Sequence, residues 1–360
     1  MDQQTMRMLE ELTGVPGVPG FEAEVRDAIR KHLPKDIEIS TDALGSILCE
    51  KRGGSDRPRI MIPGHMDEVG FMVKVITKQG FIKFQPLGGW WDQVLLSQRV
   101  DIYGKKGRIT GIVGSKPPHL LSADQRSKVM TQDKMYIDIG AKNRKEAERF
   151  GIRPGDPIVP QSTFEQMANP KMMLAKAWDD RVGVGLFLSV LKKLSRMSHP
   201  NTVIGVGTTQ EEVGTRGATT AAHLASPDVC LVAEVGIAGD TPGIDEAEAQ
   251  GNLGDGVQVC LHDAGMIPHR GLRDFVLDIA KRNRIKTQLY SLSGGTTDGR
   301  PIQLHKAGVP TIYLGVPTRY VHSHGGIIHA DDYDAAVKLM TAICKALDSA
   351  ALEKIMLASR

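Results

Sequence analysis

The chain has 360 residues, 41% hydrophobic and 24% charged, a composition typical of a soluble globular protein with room for two domains. Its 45 basic and 42 acidic side chains are interspersed and give a net charge of +3, which argues against a nucleic-acid-binding surface. The sequence has no apolar run of membrane-spanning length and no signal-peptide pattern, and its four cysteines are far apart, so we expect no membrane association and a cytoplasmic location.

The N-terminal part predicts two helices and one core strand. Apolar residues at helical spacing predict helices at 3–13 and 21–33, separated by the turn-forming segment GVPGVPG. The run IMIP, within residues 59–71, is typical of a buried strand and is followed by the polar cluster HMDE. This cluster places His65 and Asp67 just after the strand.

The middle of the chain, from about 72 to 163, consists of short segments of alternating hydrophobicity between glycine- and proline-bearing turns. One short helix is predicted at 143–151. The alternating segments predict strands and include FIKFQPL (81–87), RVDIYG (99–104), RITGIVG (108–114) and KMYIDIG (134–140). The pattern indicates a small β-rich module.

From residue 171 onward, predicted strands and helices alternate. The strands lie at 202–210, 228–236, 256–263 and 309–316, and the helices lie at 179–196, 215–225, 269–283 and 331–350. This alternation predicts an α/β sandwich with a largely parallel sheet. We therefore predict one α/β domain built from residues 1–70 plus 165–360, with residues 71–164 inserted as a separate β-rich domain.

Residues able to bind metal follow several of these strands. Reactive groups in open α/β sheets gather beyond the carboxyl ends of the strands. Each group also has an ordinary structural explanation, such as a helix cap for Asp179 and Asp180 or a helix-dipole contact for Glu211 and Glu212. The residues at or near predicted strand ends are His65, Asp67, Asp179, Asp180, Glu211, Glu212, Glu234 and His322.

Taken together, these residues favour a metal site over separate structural roles. So many carboxylates at one sheet edge would repel each other strongly unless cations neutralised them. Imidazole and carboxylate ligands suit Zn²⁺, Co²⁺ or Mn²⁺, and the number of ligands favours two ions over one. A pair of ions can activate a bridging water, for which an unligated carboxylate would serve as the general base. The adjacent Glu211 and Glu212 are suited to such a division of roles.

The sequence resembles the tetrahedral, dinuclear-metal aminopeptidases, whose members are often labelled glutamyl aminopeptidase or endoglucanase. The likeness runs over nearly the whole chain. Its marks include PGHMDEVGFMV (63–73), LGGWWDQVLLSQRV (87–100), AKAWDDRVGVG (175–185), TTQEEVGTRGA (208–218) and GVPTIYLGVPTRYVHS (308–323). The resemblance implies a phosphorylase/hydrolase-like α/β/α catalytic domain with an inserted, β-barrel-like dimerisation domain. It also implies the release of N-terminal residues from short peptides through a water that bridges two divalent metals.

The resemblance also assigns roles to individual residues. Glu211 matches the general base, and Asp67 matches the carboxylate that orients the His65 ring. Two ions, Zn²⁺ or Co²⁺, would share Asp179 as a bridge, with one ligand group on either side of it. The residues that match the metal ligands are His65, Asp179 and Glu234 for one ion, and Asp179, Glu212 and His322 for the other.

Some features leave alternatives open. Many family members carry Asp where this chain has Glu234, and His324 lies only two residues beyond His322. Asp298, within SGGTTDG, suits a helix N-cap or a pocket residue.

The family implies a homododecamer built from dimers that encloses the active sites. Alternative functions are a metal-dependent deacylase or amidase, a glycoside hydrolase that uses paired carboxylates, and a non-catalytic peptide-binding paralogue.

Overall fold

Two sheets organise the molecule. Within residues 1–358, which the computed structural model describes, one sheet has 11 strands and a second sheet closes into a barrel. Helices pack on both faces of the larger sheet, which matches the predicted α/β/α class. No helix of this part of the chain combines the length and the apolar character that a membrane crossing needs.

The elements of the larger sheet and its helices come from both ends of the chain. Its helices are α1 (Gln3–Gly14), α2 (Ala23–His32), α5 (Trp178–Leu194), α6 (Arg216–Ala225), α7 (Arg270–Arg282), α8 (Gly299–Gln303), α9 (Ala330–Ala346) and α10 (Ser349–Leu357). Its strands are β1 (Glu38–Thr41), β2 (Ile47–Arg52), β3 (Arg59–His65), β10 (Glu165–Gln166), β11 (Met172–Ala175), β12 (Thr202–Thr208), β13 (Val229–Ile237), β14 (Val257–His262), β15 (Thr287–Ser291), β16 (Thr311–Arg319) and β17 (Gly326–His329).

The barrel is formed by the middle of the chain. Its strands close in the order β4-β5-β8-β7-β6-β9 around an apolar core of their own. They run from Gly70 to Pro160, whereas the inserted domain was predicted at 71–164. Its elements are β4 (Gly70–Ile76), β5 (Ile82–Leu87), β6 (Arg99–Gly104), β7 (Gly107–Gly114), β8 (Tyr136–Asp138) and β9 (Pro157–Pro160), with the short helices α3 (Ala123–Arg126) and α4 (Arg144–Arg149).

The larger sheet is parallel only at its centre. The strand order is β1-β2-β12-β3-β13-β16-β17-β11-β10, and β14 and β15 are attached beside β16. The four strands β12, β3, β13 and β16 pair in parallel, whereas β2, β14 and β17 pair with them antiparallel. The prediction of a largely parallel sheet was therefore wrong for the flanks. The short connections of β1 to β2 and of β16 to β17 reverse the chain and require antiparallel pairing.

The long C-terminal helix predicted at 331–350 is two helices. Helix α9 ends at Ala346, and α10 begins after Asp348, whose side chain accepts a hydrogen bond from the Ala351 N–H. An Asp at this position satisfies a free N–H of a new first turn, so it starts a second helix instead of continuing the first.

Helix α5 lies at the centre of the core and carries a buried arginine, Arg181, near its start. The Arg181 Nε–H donates to the Met66 carbonyl oxygen at 2.7 Å, just beyond β3. Its guanidinium also donates to the carbonyl oxygens of Val15 and Gly17 at 3.1 and 3.2 Å, and lies 3.4 Å from Glu68. One side chain therefore joins the end of α1, the chain after β3 and the start of α5.

Replacing Arg181 with Ala is expected to lower the free energy of unfolding by about 3–5 kcal/mol, because Glu68 and several carbonyl groups would lose a buried partner. Arg181→Lys is the matched variant, since it keeps the charge but loses the planar set of donors. Chemical denaturation followed by circular dichroism measures both. An alanine variant as stable as the parent chain would contradict this role for Arg181.

Candidate metal centre

The parallel centre of the sheet brings the predicted ligands together. Because β12, β3, β13 and β16 are neighbours and run in the same direction, their carboxyl ends meet at one edge. His65 ends β3, Glu234 lies within the last part of β13, and His322 follows β16. Glu211 and Glu212 follow β12, and Asp179 lies in the first turn of α5.

His65, Asp179 and Glu234 form one possible metal-binding group. The His65 Nε2 atom lies 2.8 Å from Asp179 Oδ1 and 3.8 Å from Glu234 Oε2. One ligand atom from each of the three residues lies within 4.8 Å of the others. Glu234 therefore reaches this group despite its extra methylene relative to the Asp of many family members.

Asp179, Glu212 and His322 form a second group that shares Asp179 with the first. The His322 Nε2 atom lies 3.2 Å from Asp179 Oδ2 and 3.3 Å from Glu212 Oε1. Their ligand atoms also lie within 4.8 Å of one another. The two oxygens of Asp179 thus face different groups, which is the arrangement that a bridging carboxylate needs.

The electrostatics of the site suit bound cations. Burial raises the pKa values of Glu211, Glu212 and Glu234, and neighbouring carboxylates raise them further. Glu212 Oε1 is buried and has no well-oriented hydrogen bond within the described chain. Carboxylates and imidazoles at these distances match the donors of a divalent transition ion. The residues therefore fit two such ions.

Glu211 lies beside the two groups but belongs to neither of them. Its Oε2 atom is 3.9 Å from His65 Nε2, and its side chain is 10% exposed. The Glu211 carboxylate therefore has access to the space next to the ligands without being one of them.

Asp67 supports the site through a different set of contacts from the one predicted. The His65 Nδ1–H donates to the Asp67 main-chain carbonyl at 2.8 Å, whereas the nearer carboxylate oxygen is 3.6 Å away. The two oxygens of the Asp67 carboxylate instead accept the main-chain N–H groups of Glu211 and Glu212, each at 3.0 Å. Asp67 thus holds the His65 ring with its backbone and the glutamate pair with its side chain.

Asp180 performs the capping role that was also considered for Asp179. Its buried carboxylate accepts the Gly183 N–H at 2.9 Å and the His65 N–H at 3.0 Å. The peptide bond between Asp179 and Asp180 is cis. Asp180 therefore fixes the start of α5 against the end of β3, while the Asp179 carboxylate faces the two histidines.

Asp298 and His324 lie outside both ligand groups. Of the two roles left open for Asp298, the helix cap is not formed, because Asp298 precedes α8 without a side-chain capping bond. It accepts a hydrogen bond from the Thr208 hydroxyl at the end of β12, and burial raises its pKa to about 6. The His324 ring packs against Trp90, with ring centroids 5.4 Å apart. Of the two nearby histidines, it is therefore His322 that faces the ligands.

A cavity of about 500 Å³ opens beside the ligands. Much of its lining was not predicted from the sequence, including Asp263, Tyr290 and Leu292. Asp263 directly follows the strand β14, but β14 runs antiparallel to β16, so Asp263 does not share the edge at which the predicted ligands meet. The cavity gives a substrate room to extend beyond the reacting groups.

A sheet-edge cluster of imidazoles and carboxylates beside a cavity is the kind of site that metal-dependent hydrolases use. The family model described as M42 glutamyl aminopeptidase matches residues 45–339. The chain therefore belongs to the M42 family of aminopeptidases, which confirms the predicted family and enzyme class. Membership of this metallopeptidase family implies a divalent metal.

Individual relatives match over nearly the whole chain. The glutamyl aminopeptidase of Lactococcus lactis subsp. cremoris is 35% identical over 351 residues, which are 96% of this chain and 98% of the relative. A TET aminopeptidase from a marine sediment archaeon, Thaumarchaeota archaeon, superimposes with a TM-score of 0.96 at 43% identity, covering 98% and 99% of the two chains. The TET1 peptidase of Pyrococcus horikoshii has a TM-score of 0.85 at 30% identity, covering 95% and 100%, and can assemble into a tetrahedron or a large octahedral shell.

Metal uptake is expected to release about two protons per chain at pH 7, because ligating histidines must be neutral. Burial opposes protonation of His322, but the nearby carboxylates of Asp179 and Glu212 outweigh it and raise the pKa to about 11. Opposing carboxylates also raise the pKa of the buried His65. Since raised pKa values keep both rings protonated without metal, the apparent metal affinity should fall as the pH is lowered.

Calorimetric titration of Zn²⁺ or Co²⁺ into metal-free protein, in buffers of different ionisation enthalpy, counts the released protons. The His322→Gln variant is the control and should release about one proton fewer. Uptake without proton release would contradict this account of the two histidines.

Proposed function

We propose that this chain is a metal-dependent aminopeptidase that releases N-terminal residues from short peptides. The observation that carries the proposal is the pair of ligand groups that share Asp179, with the Glu211 carboxylate beside them but outside both. Ligands and an unligated base in this arrangement meet the needs of amide hydrolysis.

We propose two divalent ions per chain, Zn²⁺ or Co²⁺, because imidazole and carboxylate together suit these metals. His65, Asp179 and Glu234 would hold one ion, and Asp179, Glu212 and His322 the other. When bound, the ions supply charge that polarises the substrate carbonyl and lowers the pKa of a water molecule.

Glu211 is the proposed proton carrier. Its carboxylate accepts the proton of the attacking water and then delivers it to the amine that leaves. Burial raises the pKa of Glu211, which makes its carboxylate a stronger proton acceptor. Asp67 keeps Glu211 in place through the N–H bonds to both residues of the glutamate pair.

We further propose a homododecamer built from dimers in the cytoplasm. The support for assembly is the 30%-identical TET1 peptidase, which can form a tetrahedron. Several large apolar side chains on and near the barrel are exposed, among them Ile112, Leu120 and Val129. Enclosure of the sites would limit substrates to short peptides. The four cysteines, all buried and unpaired, are in keeping with a reducing compartment.

Glu211→Gln is expected to reduce kcat by about 10²- to 10⁴-fold while both metals stay bound, because the amide cannot carry the proton. Release of amino acids from aminoacyl p-nitroanilides by metal-loaded protein measures kcat, and elemental analysis measures the metal content. A variant with the parent kcat would exclude Glu211 as the base.

His65→Ala is the matched control, since it should lose metal as well as activity. A chelator should abolish turnover in the parent chain, and added metal should restore it. Activity that withstands chelation would favour glycoside hydrolysis, and preference for N-acylated substrates would favour a deacylase.

The intact protein is expected to have a mass of about 470 kDa, twelve times the 39.1 kDa of one chain. Leu120→Glu, at a side chain 66% exposed near the barrel, should shift it to a smaller species by burying a charge in an interface. Leu304→Glu, at a side chain 74% exposed outside the barrel, is the control. Size-exclusion chromatography with light scattering measures the mass, and a monomeric parent chain would refute the assembly.

A further inference from the structure

The cavity beside the ligands continues along one face of the larger sheet. Tyr313 of β16 pairs with Val232 of β13, which lies two residues before Glu234 on the same strand. The side chains of Tyr313 and Glu234 therefore point to the same face of the sheet. β14 runs antiparallel to β16, and it therefore ends away from the edge where the ligands meet. Because Asp263 follows β14 and also lines the cavity, the cavity leads away from the metal ligands towards this residue.

The walls of the cavity between its two ends are largely apolar. Ile237, Leu292 and the rings of Tyr290 and Tyr313 line it. Both tyrosine hydroxyls are bonded to the backbone of β13, since Tyr290 Oη accepts the Ile237 N–H at 3.2 Å and the Tyr313 hydroxyl donates to the Val235 carbonyl. The walls therefore present carbon surface to the stem of a long side chain.

The far end of the cavity holds a buried carboxylate with a free oxygen. Asp263 is 1% exposed, and its Oδ1 accepts the Gly265 N–H at 2.6 Å. Its Oδ2 is buried and has no hydrogen-bond partner within the described chain, and the same holds for the Thr296 hydroxyl. A buried carboxylate oxygen without a partner carries a substantial desolvation cost, which a cationic ligand would offset.

Arg300 lies at the same end of the cavity, where its positive charge opposes the binding of a cationic substrate group. Its side chain lines the cavity and approaches Gly265, yet it forms no ion pair within residues 1–358. Arg300 is exposed, so water screens its charge, whereas the charge of Asp263 acts in a buried environment. Burial raises the pKa of Asp263, and Arg300 lowers it only in part. The electrostatic preference of this end is therefore set by Asp263.

We propose that this cavity receives the side chain of the N-terminal substrate residue and selects lysine or arginine, with Asp263 as the specificity-determining residue. The aliphatic stem packs between Ile237, Leu292 and the two tyrosines, and the cationic end binds the free Asp263 Oδ2. The unpartnered Thr296 hydroxyl, which lines the cavity close to Gly265, offers the cation a second acceptor. This inference rests on the proposed aminopeptidase function.

The p-nitroanilides of lysine, norleucine and glutamate test the proposal on metal-loaded protein. Norleucine supplies an unbranched apolar stem without the ammonium group. We expect kcat/KM for lysine to exceed that for norleucine and for glutamate by about tenfold or more, because a site that bonds a polar group discriminates strongly against substrates that lack it.

Asp263→Asn should lower kcat/KM for lysine by about tenfold or more and leave norleucine within about twofold, since it removes the charge but keeps an acceptor for the Gly265 N–H. Unchanged turnover of norleucine shows that the variant is folded. Arg300→Glu adds a carboxylate at an exposed position and should raise the lysine-to-norleucine ratio above that of the matched neutral variant, Arg300→Gln. This second arm does not depend on the stability of the Asp263 variant.

The outcomes separate the two proposals. The proposed specificity is overturned if the protein turns over norleucine without preferring lysine. It is also overturned if Asp263→Asn and Arg300→Glu leave the lysine-to-norleucine ratio of kcat/KM unchanged. Either result leaves the aminopeptidase function standing. A preference for glutamate that Arg300→Gln abolishes overturns it in favour of anion recognition. Failure to release any of the three residues refutes the proposed function and the specificity with it.

Discussion

The repulsion among buried carboxylates at one edge of the sheet is the constraint on which the rest of the site depends. Asp179, Glu211, Glu212 and Glu234 all have side chains largely removed from water, and within residues 1–358 the imidazoles that face them are those of His65 and His322. Such a cluster is costly unless cations are bound, so its presence is itself an argument for a metal centre. Because Asp179 belongs to both candidate ligand groups, one carboxylate would contribute to the neutralisation of both proposed ions.

Holding these groups close together requires a rigid frame, which is provided by hydrogen bonds to the main chain. Asp180 joins the His65 backbone to the start of α5, and Asp67 joins the His65 ring to the glutamate pair. Arg181 fixes the segment after β3 through its hydrogen bond to the Met66 carbonyl oxygen. These residues act on the position of the predicted ligands, and loss of partners of this kind typically costs a metal site about 10- to 100-fold in affinity or activity.

The sequence was sufficient to predict the α/β class, the β-rich middle of the chain and the convergence of the ligands, because strand ends in a parallel arrangement must share one edge. It could not predict which atom of Asp67 would face His65, since residue type does not specify side-chain direction. The local pattern left Asp298 open between a helix cap and a pocket residue, because its hydrogen bond with Thr208 is a tertiary contact that local pattern does not specify. The antiparallel flanks and Asp263 were missed because both depend on which distant strands become neighbours.

The topology of the sheet places the predicted metal ligands and the residues proposed to recognise the substrate side chain in different parts of the sheet. The ligands lie at the ends of the parallel strands, where their positions are tightly coupled to one another. The cavity that leads away from them is lined by Tyr290 of β15 and by Asp263, which follows β14. β14 and β15 pair in parallel with each other, and β14 pairs antiparallel with β16 of that centre. Changes at Asp263, Leu292 or Arg300 can therefore alter the substrate without moving a ligand.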